Sequence, residues 1–173
     1  MNKSFFKYCL RFILIILLQI VILNKITLWG FVTPMVYFVF IFSLPFKTPR
    51  WAVILLGFFT GITVDFFTGG IIGIHALATL VIAFIRSFTI GTITNRKERE
   101  KHLLPIFHDM RFIWYLQYVF ILTFIHHFVY FFVDILSFNS FFQALMIILS
   151  NTVCSIICIF IIQILFYKKS KRY

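Results

Sequence analysis

Five side chains that could do chemistry lie within or beside apolar runs: Asp65, His75, His126, His127 and Asp134. Ionisable groups in such runs are costly to bury, so each is a functional candidate by default. Histidine with carboxylate is a combination that can ligate a metal or relay protons near neutral pH. The spacing argues against both. No HExxH is present, and His126 and His127 are adjacent, so on a helix they face about 100° apart. Asp134 falls where headgroup water would reach it. Interhelical hydrogen bonding, in the form of a polar knot that shapes a partner-binding surface, accounts for the set better than catalysis, and no catalytic, metal or cofactor site is expected. Arg86 is the remaining intramembrane charge, close enough to the end of its run to snorkel toward water.

Glycine supplies the second signal. Gly57 and Gly61 form a GxxxG pair, and Gly69 and Gly73 form another across a turn, a spacing that lets backbones approach closely. With Thr63, Asp65, Gly70, His75 and Ala76 they describe a tight helical hairpin with one acid at its junction.

The elements that must carry these residues follow from composition. Of 173 residues, 62% are hydrophobic and 12% charged, more apolar surface than one water-facing domain of this size would bury, so the excess must face lipid. A net charge of +11 would suggest nucleic acid in a soluble chain. Here the basic residues gather between and beyond the apolar runs, which is the pattern of membrane-flanking anchors. The cysteines, Cys9, Cys154 and Cys158, include no CxxC pair and are expected to pack as small hydrophobes. Lys3, Lys7 and Arg11 before Ile13 to Leu23 imitate a secretory leader, but no small-residue cleavage site follows, so an uncleaved first span is expected.

A span needs about 20 apolar residues. The chain divides into an all-α, single-domain transmembrane bundle of about six spans, at about 9–24, 29–46, 51–67, 71–90, 112–136 and 141–167. Arg11 and Gln19 make the first the weakest. Pro45 and Pro49 mark a tight connection, Asn95 to Arg111 a polar loop, and Ser137 to Ser140 a short one. Fourteen of the sixteen lysines and arginines then fall on one side, which by the positive-inside rule places both termini in the cytoplasm. Trp29, Trp51, Trp114, Tyr115 and Tyr167 are expected in interfacial belts.

The stretch from Gly57 to Ala76, GFFTGITVDFFTGGIIGIHA, resembles the bacterial rod-shape-determining protein MreD family, whose recognisable segment is a glycine-bearing span, an acid, a small-residue turn, then glycine and often His-Ala. The likeness in motif covers about 20 residues, while length, span number and charge distribution agree over the whole chain. It implies a non-enzymatic scaffold or assembly subunit of the cell-elongation, peptidoglycan-synthesis machinery in the bacterial inner membrane. The implied partners are MreC and, through the complex, MreB, RodA and the elongation penicillin-binding transpeptidase. That family is similar in fold to the substrate-binding subunits of energy-coupling-factor vitamin transporters, so a small-molecule transporter subunit is the alternative.

Overall fold

The computed structural model describes residues 3–101, 104–135 and 141–167. Among them the regular elements are helices, with one isolated bridge between Leu28 and Val32. Helix α1 (Lys3–Leu17) runs on through a π-helical stretch, Leu18–Ile22, and a 3-10 turn, Leu23–Lys25. The others are α2 (Val39–Phe42), α3 (Arg50–Thr68), α4 (Ile74–Ile93), α5 (Arg96–Lys101), α6 (Phe112–Ile135) and α7 (Phe141–Phe166). Among the described residues five stretches are long and apolar enough to cross a bilayer: Tyr8–Lys25, Arg50–Thr68, Ile74–Ile93, Phe112–Phe132 and Phe141–Phe166. The chain is therefore an all-α, multi-pass membrane bundle. The expected loop from Ser137 to Ser140 lies outside the described residues.

The expected second span, 29–46, is not a membrane-length helix. Its only α-helix is the four-residue α2. The chain leaves α1 through a tight turn in which Trp29 and Gly30 both take positive φ, 50° and 79°, and Leu28 and Val32 exchange backbone hydrogen bonds. Pro34 then removes a donor and biases Thr33 toward extended backbone. Only ten residues lie between Pro34 and Pro45, about 15 Å as helix, well short of the ~30 Å hydrocarbon layer. Partly extended, the segment runs alongside α7 and in the same direction. Thr33 meets Asn151, Met35 meets Ser155, and Ser43 meets Gln163.

This segment is the centre of the core. Val36, Tyr37, Phe38, Val39, Ile41 and Phe42 are all 0% exposed. Unwound backbone at membrane depth is tolerated only when enclosed by protein and hydrogen-bonded there, and the remaining helices meet both conditions. Helix α3 begins after Pro49, whose fixed φ suits a helix start, and ends on Gly69 in the left-handed conformation. Together with α4 it forms a hairpin, and α4 packs in turn against α6 and α6 against α7.

The start of α1 and the end of α7 share one end of the bundle, where the Arg11 guanidinium lies 4.5 Å from the centroid of the Tyr167 ring. Trp29 and Trp51 are exposed as an interfacial belt requires. Trp114, Tyr115 and Tyr167 are not: all three are buried. The Trp114 indole N–H donates to Ile93 O and Thr94 Oγ1, both at 2.9 Å, and so ties the end of α4 to the start of α6.

Candidate functional site

Asp65 is 2% exposed, near the end of α3. Its two carboxylate oxygens accept the backbone N–H groups of His75, at 3.1 Å, and Ala76, at 3.0 Å. Those are the second and third residues of α4, whose cap is Gly73, a residue with no side chain to satisfy them. An N-cap serine or aspartate ordinarily does so from its own helix. Here the neighbouring helix supplies the acceptor, and its negative charge meets the positive end of the α4 dipole. Asp65 and His75 thus pair, but through the His75 backbone.

The glycines make that reach possible. A Cβ on Gly61 would lie 2.4 Å from Ala76 Cα and 2.5 Å from His75 O, and one on Gly57 would lie 2.7 Å from Ala83 Cβ. The Gly57–Gly61 pair is therefore an interhelical contact, as expected. Gly69 and Gly73 are not: a Cβ on either would meet nothing, and they serve instead through φ of 69° and 105° in the turn. Gly70 has neither requirement.

Beneath this cap lies a buried polar cluster joined by Tyr37. Its hydroxyl is 3.0 Å from His75 Nδ1 and 2.6 Å from His126 Nε2. His127 faces elsewhere, as adjacency on a helix requires. Its Nδ1 is 2.9 Å from Thr123 O, which can only accept, so the proton sits on Nδ1. His127 Nε2 then accepts from Ser155 Oγ at 3.3 Å, while that hydroxyl accepts the Met35 N–H at 2.9 Å. Asp134 lies in the last turns of α6, and its side chain is outside the described residues. Among the described residues no group of three or more His, Cys, Asp or Glu side chains is placed to hold a metal ion.

Arg86 does not snorkel. It is 2% exposed, donating from Nε to Tyr118 OH at 3.1 Å and from a terminal nitrogen to Leu44 O. Tyr118 OH in turn donates to Phe42 O at 3.0 Å. Arg86 is held inward because the unwound segment presents carbonyls that have no helical partner.

Residues that sequence reasoning passed over do the same work along this segment. Gln19 Oε1 accepts from Val36 N and Tyr37 N, at 2.7 and 3.3 Å, and its Nε2 donates to Pro34 O and Asn24 Oδ1. Asn151 takes Thr33 N and donates to Phe31 O. Gln163 donates to Ser43 Oγ at 2.9 Å. A readable signal existed: an amide within an apolar span needs a partner, and Gln19, Asn151 and Gln163 are three such residues.

A cleft of about 620 Å³ opens at the far end of the bundle from Arg11 and Tyr167. It is bounded by the end of α1, the segment near Thr33, the α3–α4 turn, and parts of α6 and α7, with His75 in its wall.

No protein-family model, curated protein or solved structure matches the chain. Fold and site together define its class: a multi-pass α-helical membrane protein built around an unwound, buried segment that side chains from four helices hold in place.

Proposed function

We propose that this protein is a non-enzymatic subunit of the bacterial cell-elongation machinery, a scaffold or assembly partner in peptidoglycan synthesis. In this reading it lies in the cytoplasmic membrane with both termini in the cytoplasm. It acts with MreC and, through the complex, with MreB, RodA and the elongation penicillin-binding transpeptidase. The observation that carries the reading is the α3–α4 hairpin. Gly57, Gly61, Asp65 and Ala76, four of the residues on which the resemblance to the MreD family rests, are spent on joining two helices. A side chain with both oxygens committed to backbone N–H groups is suited to fixing a surface, not to turning over a substrate. Trp51, Phe66, Phe67, Ile71 and Ile72 are exposed along this hairpin, which suits lipid or a partner helix.

Depletion in a rod-shaped host should give round or widened cells, restored by the wild-type chain, and affinity purification from membranes should recover an MreC-like protein. Normal shape after clean deletion, with no such protein recovered, would sink the reading.

One observation favours a second reading, a small-molecule transporter's substrate-binding subunit: the cleft has the size of a ligand site. That reading predicts a vitamin-type compound that copurifies with the protein and stabilises it in detergent. A broad screen without a thermal shift would count against it.

A further inference from the structure

Hydrogen bonds around the cleft fix which polar atoms of its wall can donate. Gln19 fixes the first of them. Its Oε1 must face two backbone N–H groups, so its Nε2 donates and Asn24 must present Oδ1 to it. That leaves Asn24 Nδ2, which is buried without a partner. Tyr37 fixes the second. Its single proton can go to only one of the two imidazoles, so the other must donate to the Tyr37 oxygen. His126 Nδ1 is buried without a partner. An orphaned acceptor there costs less than an orphaned N–H, which puts the His126 proton on Nε2, facing Tyr37. Tyr37 then donates to His75 Nδ1, and the neutral His75 ring carries its own proton on Nε2, the ring nitrogen not spent on Tyr37. Lys25, exposed in the same wall, adds a positive charge. No carboxylate among the described residues lines the cleft.

We propose that this cleft binds the anionic end of a small amphiphile, a carboxylate or phosphate, with Lys25 and His75 donating to it and the apolar part lying against Phe31, Met35 and Phe131. A charged acceptor satisfies several donors at once and gains most from a cation beside them. The site stands independently of the wall-elongation reading, since cell shape is scored separately from binding.

Thermal unfolding of the full chain in a neutral maltoside detergent tests it, using heptanoate and dihexanoyl phosphatidic acid as anionic probes and heptanol and dihexanoylglycerol as neutral counterparts. An anionic probe should raise the midpoint and the neutral ones should not. Lys25→Gln, at an exposed position, should weaken the response about tenfold through loss of one charge-assisted contact. Asn24→Asp, which adds a negative charge beside Lys25 in the same wall, should abolish it. Lys47→Gln, at the other end of the bundle, should change nothing. A response to phosphatidic acid alone assigns the anion to a lipid headgroup, and one to heptanoate alone assigns it to a soluble molecule. The proposal fails if neither anion shifts the midpoint, if the neutral compounds act equally, or if Lys25→Gln binds as wild type.

Discussion

Asp65 bonds two backbone N–H groups through one carboxylate, and the substitutions that remove its charge should separate by how many of those groups they strand. Asp65→Asn retains one acceptor and turns an NH₂ toward the other donor, so a loss of about 2 kcal/mol is expected. Asp65→Leu leaves both N–H groups unsatisfied, at ~1–3 kcal/mol each, and should cost about 4 kcal/mol. Reversible unfolding in mixed micelles measures the difference; equal losses would point to a role that depends on charge alone. Glycine makes a sharper contrast. Gly61→Ala forces a methyl against Ala76 and His75 backbone, which cannot swing aside, and should cost at least ~3 kcal/mol or part the hairpin. Gly70→Ala meets open space at an ordinary φ and should stay within about 0.5 kcal/mol of wild type. If Gly61→Ala matched it in the same titration, the close approach of α3 and α4 would be wrong.

For the unwound segment, Gln19→Leu is the informative change. Hydropathy alone predicts that leucine improves the first span. The structure predicts the opposite sign, because Val36 N and Tyr37 N would lose their acceptor in a core where no water replaces it. A loss of about 2–5 kcal/mol is expected, with faster amide exchange confined at first to residues near 33–37. Gln19→Glu keeps the one oxygen that accepts from Val36 N and Tyr37 N, so exchange near residues 33–37 should rise less than with Gln19→Leu. The same reasoning applies to Arg86→Met, which strands Leu44 O and takes from Tyr118 OH its donor. Exchange at the segment unchanged by Gln19→Leu would show that its backbone is held by something else.

The whole molecule decides whether the second crossing exists at all. Residues 29–46 lack the length to span as a helix between Pro34 and Pro45, and find their hydrogen-bond partners on α1, α4, α6 and α7, three of which are translated later. A reporter placed within the intact chain at Lys47 should therefore lie on the same side as the carboxyl terminus. The same reporter fused to a chain ending at Thr48 should be found on the opposite side, or on both, because the segment has nothing to thread into. Compartment-specific labelling reads this directly. Identical placement in both would mean that the segment inserts on its own and that the later helices do not hold it.

Helices α3, α4, α6 and α7 were legible from the run of apolar residues, because in a bilayer the local rule is strict: about 20 mostly apolar residues must close their hydrogen bonds within the helix. The α3–α4 hairpin was legible for a similar reason, since Gly57, Gly61 and Asp65 carry their requirement in their own chemistry. Residues 29–46 obey the composition rule and break the structural one. Their apolar character says that they are buried, and it cannot say whether their backbone bonds close locally or on side chains up to 120 positions away, as Met35 does on Ser155. The direction of Arg86, the inward place of Trp114, Tyr115 and Tyr167, and the meeting of His75 with His126 across Tyr37 depend on that segment. Asp65, by contrast, was recognisable as a packing residue from its neighbours alone, while its acceptors' partners became evident only when Gly73 left the start of α4 without a cap.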